Sequence, residues 1–189
     1  MKKILVLHGW EGTSGSHWFP WLKKAGEAKD MEVIIPDLPE SCTPVLEDWL
    51  ITTKEAAWNL EEGDIIIGHS MWGKAAMHFL EKYDISWVTC VLVAPTYDTI
   101  EDELDLNETL ELKKKLRDFH ETALDFEKLN TLKNTYTVLL SDNDHFITQT
   151  SARRYYGVLQ NTHFIDFHNA GHFCKRDGFE EFPEILDYI

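Results

Sequence analysis

The fold turns on one stretch, Asp64-Ile65-Ile66-Ile67-Gly68-His69-Ser70-Met71-Trp72-Gly73-Lys74-Ala75-Ala76-Met77. Asp64 to Ile67 reads as a short buried strand and Lys74 to Met77 as a helix, so Ser70 falls on the sharp turn between them. A serine there has the setting of a nucleophile elbow. The strained turn exposes its hydroxyl above a sheet and aims the next backbone N–H, that of Met71, at a developing oxyanion. Trp72 stands where the G-x-S-x-G pattern has its second glycine, and Gly73 follows one place later. The small residue lets the helix approach the neighbouring strand, so an indole must find a gap or push the helix outward. The plainer alternative for Ser70 is a helix N-cap after a buried strand.

Working outward, short runs rich in Val and Ile alternate with segments of helical period. The runs are Lys3 to Leu7, Glu32 to Ile35, Asp64 to Ile67, Val88 to Ala94, Tyr136 to Leu140 and His163 to Asp166. The alternation predicts an α/β fold: a doubly wound, mostly parallel six-stranded sheet with helices on both faces. Most runs are apolar without alternation, as in strands covered on both sides. Pro20 and Pro44 suit first-turn helix positions, Thr43 is a predicted N-cap, and Gly63 separates a helix from the third strand. No repeat, low-complexity tract or Gly/Ser linker marks a boundary, so residues 1–189 read as a single domain. Sites in such sheets lie outside the carboxyl ends of the strands, in the loops that follow them.

The 189 residues carry 18 Lys and Arg against 33 Asp and Glu, a formal net charge of −15. That balance excludes a nucleic-acid or anionic-membrane binder working through a broad basic surface. Apolar residues make up 43%, enough for a substantial core. Cys42, Cys90 and Cys174 are odd in number and lack C-x-x-C pairing, which points to a reducing, cytoplasmic setting. Met1-Lys2-Lys3 opens like a signal peptide, but His8 and Gly9 stop the apolar run. No later stretch approaches the roughly 18 apolar residues of a membrane span.

A serine hydroxyl needs a base, and the base needs a third group to fix its tautomer. In α/β-hydrolases the chain order is Ser, then Asp or Glu, then His. The fifth run ends in Ser141-Asp142-Asn143-Asp144-His145, and the sixth is followed by Asn169-Ala170-Gly171-His172-Phe173. Three loops thus carry the required residue types in the required order. Asp144 is preferred to Asp142 because it lies deeper in the turn with more reach; periodicity does not separate them, and an Asx-turn is the alternative use of either. Of the nine histidines, His78 and His120 sit in helical patterns and His163 and His168 in or just past a strand, whereas His172 follows a glycine in a strand-end loop. His168, His172 and Cys174 do not make a zinc motif, since the segment is a loop and lacks the H-E-x-x-H glutamate. Asp142-Asn143-Asp144 lacks the Gly and closing Glu of a calcium loop. No metal is expected. The second oxyanion donor is expected from the loop after the first strand, His8-Gly9-Trp10-Glu11-Gly12, with the Trp10 N–H as best candidate. Neither G-x-G-x-x-G nor G-x-x-x-x-G-K is present, so nucleotide binding is not expected.

Collinear segments carry a wider likeness: Leu5-Val6-Leu7-His8-Gly9-Trp10, His17-Trp18-Phe19-Pro20-Trp21-Leu22, Ile34-Ile35-Pro36-Asp37-Leu38-Pro39, Ile65-Ile66-Ile67-Gly68-His69-Ser70, Ser141-Asp142-Asn143-Asp144 and Gly171-His172-Phe173. Over nearly its whole length the sequence resembles the small α/β-hydrolases that include retinoblastoma-binding protein nine and bacterial serine hydrolases of the YdeN type. The resemblance implies a triad of Ser70, Asp144 and His172 and a minimal α/β-hydrolase fold with no cap domain. Trp72 departs from the elbow pattern. The L-x-C-x-E motif linked to retinoblastoma binding has no counterpart, the stretch reading Leu60-Glu61-Glu62-Gly63-Asp64, so that protein partner is not carried over.

These readings converge on a serine hydrolase, carboxylesterase-like, that cleaves small neutral esters through an acyl-enzyme without a cofactor. His8, Gly9 and Trp72 are candidate pocket residues; Trp10 and Trp18 also offer apolar surface, with Trp18 equally suited to the core. From Tyr97 to Glu111 there are seven carboxylates, Asp98, Glu101, Asp102, Glu103, Asp105, Glu108 and Glu111, and no Lys or Arg. Overhanging the site, they would disfavour anionic substrates; otherwise they are the solvated flank of a surface helix. The competing class is a catalytically weak or inactive protein-binding module on a hydrolase scaffold, with Trp72 as its main support.

Overall fold

The computed structural model describes residues 1–97 and 122–189. The acidic stretch from Asp98 to Glu111 lies outside them. The described elements are β1 (Lys3–Leu7), α1 (Phe19–Glu27), β2 (Glu32–Ile34), α2 (Leu46–Ala56), β3 (Ile65–His69), α3 (Met71–Tyr83), β4 (Thr89–Val93), α4 (Phe126–Thr131), β5 (Thr135–Ser141), α5 (Gln149–Tyr156) and β6 (Thr162–Phe167), followed by 3₁₀ turns at Lys175–Asp177 and Pro183–Tyr188. Each predicted run is a strand, and the sheet is wholly parallel in the order β2-β1-β3-β4-β5-β6.

The β-branched runs fill the middle of this sheet because both of its faces are covered. Every residue of β1 and β3 is buried. The edges differ: β2 has three residues and β6 is only partly covered along its length, so little apolar strand is left unpaired. Right-handed crossovers place α1 on one face and the later helices on the other, because the β1-to-β2 connection runs opposite to the rest. Packing agrees. α3 contacts α2 and α4, Phe126 of α4 meets Tyr155 of α5, and Trp18 at the head of α1 meets Phe182 near the carboxyl terminus.

Pro20 falls in the first turn of α1, but the predicted Thr43 cap is not realised. α2 begins at Leu46 after an extended Val45 (φ −109°, ψ 119°), with Glu47 and Asp48 in the first turn where the helix dipole favours carboxylates. Thr43 instead closes a turn by donating its N–H to the Glu40 carbonyl at 2.8 Å. No described helix is long and apolar enough to cross a membrane, and no cap domain occurs among the described residues. Because the strand order reverses at β1, the loops after β1 and β3 part to opposite faces and open a crevice at the carboxyl edge.

Candidate active site

Ser70 alone joins β3 to α3, with φ 58° and ψ −124°. For a non-glycine residue such a conformation costs on the order of 1–3 kcal/mol and persists only where its surroundings hold it. Here the Ser70 N–H donates to Val93 O at 2.9 Å, and Ser70 O accepts from the N–H groups of Gly73 and Thr96 at 2.9 and 3.1 Å. The hydroxyl makes no cap bond to the helix, so the N-cap alternative does not describe it.

Trp72 finds a gap. Its indole is fully buried and stacks on Trp49 of α2, with ring centroids 5.5 Å apart and planes 2° apart. Adjacent helix positions face about 100° apart, so Gly73 takes the side where space is shortest: a Cβ there would lie 2.1 Å from the Pro95 Cβ. Trp72 is therefore core and does not line the pocket as expected from sequence. Trp18 is core as well, donating its indole N–H to Phe173 O at 3.0 Å.

The loops after β5 and β6 bring Asp144 and His172 to Ser70. His172 Nε2 lies 2.8 Å from Ser70 Oγ, and its Nδ1 lies 2.9 and 3.1 Å from the two Asp144 oxygens. An ionised carboxylate only accepts, so the imidazole proton resides on Nδ1 and Nε2 is free to accept from the serine. Asp144 Oδ1 also accepts the N–H groups of Phe146 and Ile147 at 2.8 and 3.1 Å. The Asx-turn and the histidine bond are thus made by one side chain. Asp142 faces elsewhere. It accepts from His168 Nδ1 at 2.7 Å and from the Asn169 N–H at 2.8 Å, and these bonds hold its pKa below the ordinary carboxylate range.

Sequence reasoning missed the groups that hold the histidine loop. His69 Nε2–H donates to the His172 carbonyl at 2.8 Å, tying the elbow to the base through the residue next to Ser70. Asp177 Oδ2 accepts the His172 N–H and the Cys174 thiol, both at 2.9 Å. Burial pushes the Asp177 pKa up, but these bonds outweigh it and the net direction is down. Asn143 Oδ1 accepts from Gly171 N–H at 2.7 Å and from the Ser141 hydroxyl at 2.8 Å. No motif marks these partners, which lie up to 103 positions apart in the chain.

A cavity of about 390 Å³ opens over Ser70, lined among others by Gly9, Trp10, His17, Met71, Phe146 and His172. Gly9 is pressed against the elbow, since a Cβ there would come 2.9 Å from that of Ser70. The backbone N–H groups of Trp10 and Met71 have no acceptor among the described residues. His8, expected at the pocket, lies outside it. Its Nε2 accepts the Leu38 N–H and its Nδ1–H donates to Gly9 O, both at 3.0 Å, so it braces the loop as a neutral ring whose pKa burial holds down. Among the described residues, no three His, Cys, Asp or Glu side chains form a set able to hold a metal ion.

A serine on a strand-turn-helix elbow of a parallel sheet, with an imidazole and a carboxylate on later strand-end loops, defines the α/β-hydrolase class. Within it, the chain belongs to the serine hydrolase family, whose model matches residues 4–189, and the protein is a hydrolase. It is similar to the YdeN protein of Bacillus subtilis (strain 168), 24% identical over 188 residues that span 100% of this chain and 94% of that one. The crystal structure of the B. subtilis ydeN gene product superposes with a TM-score of 0.85, covering 99% of this chain and 96% of that one at 24% identity. A monoacylglycerol lipase from Paleococcus ferrophilus shares the fold at a TM-score of 0.70 and 14% identity, covering 90% of this chain and 85% of its own.

Proposed function

We propose that the protein, acting as one domain, hydrolyses small neutral esters through Ser70, His172 and Asp144. The observation that carries this is the unbroken hydrogen-bond chain from Ser70 Oγ through His172 to Asp144 at the wall of a cavity. Ser70 Oγ attacks the acyl carbonyl as His172 Nε2 takes its proton, and Asp144 stabilises the imidazolium. The Trp10 and Met71 N–H groups receive the oxyanion. Collapse expels the alcohol with the proton from Nε2, leaving the acyl group on Ser70. Water then attacks as His172 takes its proton, and the acid leaves as Ser70 recovers its hydrogen.

Neutral substrates suit the site because Glu11 and Arg176 at the cavity carry opposite charges and the chain as a whole carries −15. The free Cys42, Cys90 and Cys174 fit a cytoplasmic setting. The binding-module alternative loses its main support once Trp72 is accommodated between α3 and α2. The test is hydrolysis of p-nitrophenyl butyrate. The wild type should turn it over, and Ser70→Ala should lower kcat by about 10⁴-fold or more. A wild type inert towards short neutral esters, or a fully active Ser70→Ala, overturns the proposal.

A further inference from the structure

His17 stands on the cavity wall with Ser70 and His172 but takes no part in the proton chain. Its ring packs against His69, centroids 5.2 Å apart. Nδ1 accepts the Lys175 backbone N–H at 3.1 Å, so the ring proton sits on Nε2. That N–H has no acceptor among the described residues. The same cavity is lined by the apolar Met71, Phe146 and Ile147 and by Trp10, with Glu11, Ser16, Thr96 and Arg176 as polar parts of its wall. A ring N–H on the cavity wall without a protein acceptor favours a ligand that carries an acceptor to it.

We infer that His17 reads the acyl chain of the substrate, its Nε2–H donating to a neutral oxygen beyond the scissile carbonyl. The preferred substrates are then short esters with an ether, keto or hydroxyl oxygen in the acyl part, rather than plain alkanoates. The inference rests on the hydrolase reading of Ser70 given above. Burial, and after it the neighbouring His172, hold the His17 pKa down at about 4. The ring therefore stays neutral near pH 7, keeps its bond from Lys175, and offers a carboxylate no charge to pair with.

The test compares kcat/KM for p-nitrophenyl pentanoate with that for its two ether isosteres, in which oxygen replaces the β or the γ methylene. Each value is divided by the rate of uncatalysed hydroxide hydrolysis. In the wild type one isostere should be favoured by about 10-fold or more. His17→Asn suits the left-handed backbone at this position, φ 53°. Its carboxamide keeps an acceptor near Nδ1 for Lys175 but removes the donor at Nε2, so the preference should fall to near parity. His17→Gln carries an amide N–H out to the Nε2 position and should recover part of it. A wild type labelled by a fluorophosphonate at Ser70 yet without preference overturns this inference alone. So does a preference that His17→Asn leaves intact, including the case in which all esters slow equally. A wild type that neither labels nor turns over any of these esters overturns the triad as well.

Discussion

The loops after β5 and β6 are joined by two carboxylate–imidazole pairs of nearly equal length, Asp142 with His168 at 2.7 Å and Asp144 with His172 at 2.9 Å. In the first pair the side chains are 42% and 86% exposed; in the second they are 1% and 8% exposed. Water screens the outer pair, and the remaining side-chain bond of Asp142, from the Asn169 N–H, ties the loop after β6 to the loop after β5. The inner carboxylate is shielded and further fixed by two backbone N–H groups, and the far side of its imidazole meets Ser70. Pair length is therefore no guide to role: desolvation and the third partner separate a loop clamp from a group able to move a proton.

The largest expected effect breaks the inner pair. Asp144→Asn should lower kcat/KM for p-nitrophenyl butyrate by about 10⁴-fold, since the amide favours the wrong imidazole tautomer. Asp142→Asn should leave it within about threefold, because that carboxylate meets only an exposed ring and one backbone N–H, which the amide oxygen still accepts. The opposite ranking would reverse the assignment of the two aspartates. The inner pair also depends on the elbow that presents Ser70. Trp72→Gly removes a fully buried indole from its stack on Trp49 and places glycine in a helix, so the unfolding free energy from urea titration should fall by about 4 kcal/mol. A variant of undiminished stability and higher rate would mean the indole distorts the elbow.

Smaller effects sharpen the comparison further. Asp177→Ala frees the His172 backbone without touching its ring; kcat should drop about 10- to 100-fold with KM little changed. A change confined to KM would place Asp177 in substrate binding instead. The two environments also push imidazoles in opposite directions. Burial lowers the pKa of His8, His17 and His69, whereas the bond to Asp142 raises that of His168. The unfolded chain takes up protons on the buried rings near 6.5, while folded His17 resists until about 4. Stability is then full above the unfolded value and lost as pH falls through that window. His168 has the opposite sign: its contribution is present below the unfolded value and fades as pH rises through the raised one. Urea midpoints should decline from about pH 6.5 towards 4; a flat profile contradicts the neutral buried rings.

All six strands were legible in the sequence because a sheet covered on both faces demands apolar, β-branched runs. Their ends moved by at most two residues. The start of α2 is not legible, because Thr43-Pro44 has cap chemistry, yet the extended Val45 delays the helix until Leu46. Ser70, Asp144 and His172 could be nominated from loop position and chain order. Which aspartate meets His172 depends on how the turn folds, as the Phe146 and Ile147 bonds illustrate. Trp72 looks in the sequence like a threat to the elbow, since a sequence does not say that the next position, not this one, faces Pro95. His69, Asn143 and Asp177 carried no signal, as their roles arise only once the loops meet.

Ser70, activated by the inner pair, is the proposed nucleophile. The most direct measurement of this role is peptide mass mapping after brief fluorophosphonate treatment. The adduct should lie on Ser70, disappear in Ser70→Ala, form far more slowly in Asp144→Asn and form at near the normal rate in Asp142→Asn. No adduct on the wild type, or one on a different residue, would contradict it.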